Sequence, residues 1–213
     1  MKNNESTKTS KLNLSVSSKT FRLVFSAVML GLATALSMVK VFQMPMGGSV
    51  TLFSMVPLVL VCQLYGFGWG SFTCLAYGLI QLLLGASNFS YATTLWAVLA
   101  IAIFDYIGAY WAVSLSSLTR KMKSKPLAAA LGGVIACLLR YAFHFVSGAV
   151  VWGQWAEVSA LPAFAQTGFW INEDVLIYSY SLFYNGYMLI EAVITAIGAW
   201  AFMRVFGSKL IKD

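Results

Sequence analysis

From residue 20 onward the chain is a series of long apolar runs separated by short polar stretches. A helix needs roughly 20 mainly apolar residues to cross the hydrocarbon core of a bilayer. The pattern predicts helices over 20–40, 51–66, 68–86, 92–117, 127–152 and 179–206. The second is short, and glycines bracket it: Gly47 and Gly48 before, Gly66 and Gly68 after, the punctuation of turns. Two connections are longer, 42–50 and 153–178. The latter carries Trp155, Pro162, Trp170, Glu157, Glu173 and Asp174. It is too apolar for a plain linker and is expected to lie in the membrane interface or to fold over a site as a lid. Residues 1–18 are rich in Ser, Thr, Lys and Asn and are expected to form a disordered cytoplasmic tail. The run 23–39 is long for a signal-peptide core, and losing it would leave an odd number of crossings, so it is read as a retained helix. The expectation is an all-α integral membrane protein: one domain over 19–213 with six transmembrane helices.

Composition supports this class. Of 213 residues, 60% are hydrophobic and 10% charged, more apolar surface than a soluble domain of this size can hide. The net charge of +7 raises nucleic acid or an acidic membrane face as partners. Its distribution decides between them. Lys2, Lys8, Lys11, Lys19 and Arg22 precede or open the first helix. Arg120, Lys121, Lys123 and Lys125 fill one loop, and Arg204, Lys209 and Lys212 end the last helix. Only Lys40 and Arg140 lie elsewhere. With six crossings the three clusters share one side, which the positive-inside rule makes cytoplasmic, with both termini on it. The basicity is a topology signal, and no nucleic-acid partner is expected. Cys62, Cys74 and Cys137 sit in apolar runs without a C-x-x-C pair and read as packing residues. No metal site and no cofactor are expected.

Ionisable residues inside spans are costly and mark function or pairing. The candidates are Asp105, Arg140, His144 and Glu191. Asp105 reads either as an ion-pair partner of Arg140 or as a counter-ion for a cationic ligand. Glu191 reads as structural, paired with Arg140. Arg140, His144, Gly148 and Trp152 recur every four residues and share one helix face. Gly148 there leaves room for a flat ring; the bland alternative is a packing groove with an interfacial Trp. Ser147, His144 and Asp105 can be assembled on paper into a catalytic triad, but Ser147 lies in no nucleophile-elbow context, so no enzyme is expected. Residues 178–187 are dense in hydroxyl and amide groups, with Asn185 needing partners inside the span. Ala27, Gly31 and Ala35 form a small-residue face suited to close helix packing, within the chain or against another membrane protein.

Several segments together resemble a known family: 44–50 (MPMGGSV), Asp105-Tyr106, 138–150 (LLRYAFHFVSGAV) and 180–185 (YSLFYN). They are similar, in order along most of the chain, to the thiamine-specific S components of energy-coupling factor (ECF) vitamin transporters, the ThiT family. The resemblance implies a six-helix subunit of the bacterial plasma membrane that captures thiamine from outside. It implies docking, through Ala27, Gly31 and Ala35, on a coupling protein (EcfT) carrying two ATPase subunits; this chain itself has no G-x-x-x-x-G-K-[ST] loop. By position, it implies a ligand pocket of Asp105, Tyr106, His144, Gly148, Trp152, Tyr180 and Asn185. A permanent thiazolium cation suits a carboxylate and aromatic faces. The stretch 86–96 matches poorly and offers Tyr91 and Trp96 only as candidates; 153–178 is longer than the family pattern. Two other readings stay open: an S component for another vitamin or heterocyclic precursor, and a stand-alone small-molecule carrier or small membrane enzyme.

Overall fold

The computed structural model describes residues 18–45 and 47–210, the side chains of 208–210 excepted. The tail expected over 1–18 falls, but for Ser18, outside the described residues. Helix α1 (Lys19–Ser37) is capped by Ser18, whose Oγ accepts from Phe21 N at 3.1 Å. Only one face of it is buried, through Ser26, Met29 and Ala33. Ala27, Gly31 and Ala35 lie on its exposed side.

The connection after α1 is not a simple loop. Lys40–Gln43 (β1) and Ser49–Thr51 (β2) form a small antiparallel hairpin, with Phe42 opposite Val50 and Gln43 opposite Ser49. The turn uses Gly47 and Gly48 at positive φ (95° and 82°). The all-α expectation is corrected by this hairpin, whose strands of four and three residues are too short to read as alternation in sequence.

Helix α2 (Val56–Leu84) is continuous in outline but folds back on itself at Gly66, where φ is 81° and ψ −175°. Cys62 Sγ lies 3.7 Å from Cys74 Sγ; twelve residues along a straight helix would separate them by about 18 Å. The two arms, 56–65 and 67–84, therefore pack antiparallel, as the glycine punctuation predicted. Arg120 closes the first arm by donating to the carbonyls of Gln63 (3.4 Å) and Leu64 (3.2 Å). The first arm is apolar all round, and residues 56–63 are all buried, so it forms the centre of the bundle.

Helix α3 (Leu95–Thr119) is irregular. Its central turns, Ile101–Ile107, are π-helical, with Gly108 N bonded to Ile103 O five residues back. The last turns, Val113–Thr119, tighten to 3-10 geometry. Helix α4 (Lys125–Val150) starts with Pro126 in its first turn and packs along α6. The single helix expected over 179–206 is instead two: α5 (Glu173–Tyr184) and α6 (Tyr187–Leu210), broken at Asn185 and Gly186. Within segment 153–178, residues up to 172 run in short 3-10 turns and the rest open α5. The segment packs Leu161 and Ala165 against Tyr180, and Trp170 against Phe183 with ring centroids 5.3 Å apart.

Among the described residues, five helical stretches are long and apolar enough to cross a membrane: Lys19–Ser37, Val56–Leu84, Leu95–Thr119, Lys125–Val150 and Glu173–Gly207. The six expected segments differ from these because the α2 hairpin joins two of them.

Candidate functional site

A cavity of about 330 Å³ opens where the end of α1, the β-hairpin, the second arm of α2, and helices α3 to α6 converge. Asp105, Tyr106, His144, Gly148, Trp152, Tyr180 and Asn185, the seven residues singled out in the sequence, all line it.

The centre of the site is the Asp105 carboxylate. His144 Nδ1 lies 2.9 Å from Oδ1. Ser147 Oγ donates to Oδ2 at 2.7 Å and Trp152 Nε1 at 3.2 Å. These donors lie on α4 and the turn after it, while the π-helical turn of α3 presents the acid. The extra residue of a π turn rotates the later part of a helix by about 100° relative to a regular one. Asp105 and Tyr106 within the π turn and Tyr110 just beyond it all reach the cavity.

Arg140 does not pair with Asp105, contrary to one sequence expectation, nor with Glu191, contrary to another. Among the described residues no Lys or Arg nitrogen lies within 4.0 Å of either acid. The guanidinium stacks over the Tyr110 ring (4.4 Å to the centroid). It approaches Met55 Sδ at 3.1 Å and His144 Nε2 at 3.5 Å. Guanidinium groups only donate. His144 Nε2 therefore faces it as the acceptor, and the imidazole proton sits on Nδ1, aimed at Asp105. Three donors thus converge on the one carboxylate. Glu191, 2% exposed, takes the backbone N–H of Thr51 (2.8 Å) and its hydroxyl (2.9 Å), tying the hairpin to α6.

The paper triad fails on connectivity. In a catalytic triad the imidazole stands between serine and acid. Here Asp105 is the middle member, in hydrogen-bond contact with both Ser147 and His144.

Residues 23–212 match the family model described as thiamine transporter protein (Thia_YuaJ). The chain belongs to this family. It is 32% identical over 189 residues to the thiamine transporter ThiT of Bacillus subtilis (strain 168), an alignment covering 83% of this chain and 86% of that protein. Its fold resembles a solved structure of ThiT from Listeria monocytogenes, with a TM-score of 0.68, 20% identity, and coverage of 91% of this chain and 98% of that one. The family is one of transporters, not enzymes, and this member is a multi-pass protein of the cell membrane.

In this Thia_YuaJ member, three sequence readings of individual residues change. Gly148 lines the cavity, but its lack of a side chain is demanded by helix packing. A Cβ there would run into the Ser181 side chain and sit 3.0 Å from Asn185 Nδ2. Asn185 serves the break between α5 and α6: its Nδ2 donates to Ser181 O (2.9 Å) and His144 O (3.2 Å), locking α5 against α4. Of the candidates in 86–96, Trp96 is 80% exposed and faces away. Tyr91 packs behind Trp152, centroids 5.2 Å apart, without lining the cavity. Asn88 is the residue of that stretch that reaches the site, donating to Tyr106 Oη at 2.9 Å. Apart from Trp152 just before it, segment 153–178 supplies no residue to the lining of this cavity. Gly47, Gly48 and Ser49 of the hairpin do line it, held by Tyr184 Oη donating to Gly47 O at 3.1 Å. Sequence reasoning missed Asn88, Tyr110, Tyr187 and the hairpin. The one available signal was the density of tyrosine and amide groups around 178–187.

Proposed function

We propose that this chain binds thiamine in the cavity around Asp105 and acts as the substrate-binding subunit of an ECF-type, ATP-driven uptake system. The observation that carries the reading is a carboxylate lining a cavity, oriented by three side-chain donors, with no Lys or Arg nitrogen among the described residues within 4.0 Å of it. Such a charge in a partly dry site attracts a fixed cation. Trp152, Tyr180 and Tyr187 offer faces to a heterocycle, and Asn88 and Asn185 belong to the lining, suiting a ring with donor and acceptor edges. The volume falls near the lower end of the ~300–1,000 Å³ usual for small-molecule sites. The family and the Bacillus relative's name support thiamine as the substrate.

The exposed face of α1 bearing Ala27, Gly31 and Ala35 would receive the coupling protein EcfT, with its two ATPases behind it. Close helix approach needs small residues of this kind. In this reading the two arms of α2 count as separate segments, making six, of which the first goes only part of the way across the bilayer. The ten-residue arm of α2 spans only about 15 Å, sheltered by its neighbours. Both termini are cytoplasmic. Asp105, Tyr106, His144, Trp152 and Tyr180 contact the ligand, while Gly148 and Asn185 shape its wall.

The test is a titration of the detergent-purified chain with thiamine, followed by tryptophan fluorescence. Saturable quenching supports the reading. No response to thiamine with a response to another heterocycle would reassign the substrate. Uptake by the chain alone in ATP-free vesicles would replace the ECF assignment by a stand-alone carrier.

A further inference from the structure

The end of the fold remote from the cavity carries a cation that has no counter-charge among the described residues. Ser37 and Met38, where α1 ends, line the cavity; Arg22 lies about 22 Å away along the same helix. Its guanidinium rests on two rings, 5.3 Å from the centroid of Tyr65 and 5.2 Å from that of Trp69. Trp69 is fixed in turn by donating Nε1–H to Ser26 Oγ at 2.8 Å. Arg22 Nε and Tyr65 Oη are both enclosed without a protein partner. Among the described residues no carboxylate lies within 4.0 Å of Arg22. The described acids are all elsewhere: Asp105 and Glu191 line the cavity, and Glu157, Glu173 and Asp174 flank the 153–178 turns. Arg120, beside the same α2 turn, is committed to the Gln63 and Leu64 carbonyls. Leu23 and Val24, the next two residues of α1, and Phe67, just after the Gly66 turn, carry exposed apolar side chains.

We propose that Arg22, seated on Tyr65 and Trp69, is a headgroup site for an anionic phospholipid. The two rings hold the guanidinium by cation–π contact, so little side-chain freedom remains to be lost on binding. With Nε enclosed, the terminal nitrogens are the edge left for an acceptor, and a phosphodiester presents paired oxygens to such an edge. The exposed apolar side chains of Leu23, Val24 and Phe67 suit the acyl chains of the same molecule. Basic residues at a membrane end favour anionic lipid by a term that adds per residue, and Lys19, exposed one turn away, reinforces it.

The experiment is native mass spectrometry of the full-length, detergent-purified chain mixed with equal amounts of phosphatidylglycerol and phosphatidylcholine of the same acyl chains. The expected result is about fivefold preferential retention of phosphatidylglycerol, lost in Arg22→Gln and reduced in Tyr65→Leu, which removes one of the two rings. An unchanged unfolding temperature in lipid-free detergent reports that each variant is folded. The wild-type comparison stands even if a variant is not. Equal retention of the two lipids by the wild type overturns the proposal, as does an undiminished preference in folded Arg22→Gln. Inorganic phosphate forms a third arm. Displacement of phosphatidylglycerol by equimolar phosphate would assign the site to a soluble anion and overturn the lipid assignment.

Discussion

His144 Nδ1 lies within hydrogen-bond distance of Asp105 Oδ1 at 2.9 Å, while its other nitrogen faces Arg140 at 3.5 Å. The imidazole thus separates the guanidinium from the carboxylate, and of the two sequence readings of Asp105 the ion pair with Arg140 is not formed. Among the described residues no Lys or Arg nitrogen comes within 4.0 Å of Asp105.

Asp105→Asn should weaken thiamine binding more than about tenfold, or ~1.4 kcal/mol. An amide removes the charge and has only one accepting oxygen, so one of the three donors aimed at the carboxylate would face an N–H instead. Calorimetric titration of the folded variant is the check. Unchanged affinity would leave Asp105 a purely structural residue.

Trp152→Ala removes both a donor to Asp105 and an aromatic wall packed on Tyr91 and Trp155. Affinity should fall, and most ligand-induced fluorescence quenching should disappear. Persistence of the full quenching signal would move the ligand away from this ring.

Gly148→Ala should act on the fold as well as the site. The new methyl meets the Ser181 side chain, which itself donates to Phe145 O at 2.7 Å, so α4 and α5 must separate. Overpacking of this kind costs about 1–3 kcal/mol. A lowered unfolding temperature without ligand is expected. An unaltered one would show that the helices can yield.

Glu191→Ala strips Thr51 N–H of its partner in a buried place. The cost should be about 1–3 kcal/mol, concentrated in the hairpin. Hydrogen exchange at residues 49–51 should quicken while that of the Cys62 arm stays slow; uniform change throughout would argue against a local tie.

The folded-back α2 can be tested by chemistry. In a Cys137→Ala background, a small membrane-permeant oxidant should link Cys62 and Cys74 within one chain, since their sulfurs are 3.7 Å apart. A straight helix would hold them about 18 Å apart and give no intramolecular product. Peptide mass spectrometry distinguishes the two.

Apolar runs near 20 residues long left only a membrane class open, and Gly66 marked the reversal between two of them. Four-residue spacing alone placed Arg140, His144, Gly148 and Trp152 on one face, because a single helix fixes that geometry. Which residue from another helix meets that face depends on relative depth and rotation, and these only packing settles. The π turn in α3 shifted Asp105 toward His144, the approach of α5 claimed Gly148, and the break at Asn185 turned α6 so that Tyr187 and Glu191 entered the cavity. Spacing within an element is covalent and legible in the chain. Partners between elements are chosen by sterics and unsatisfied polar groups that exist only once the helices are side by side.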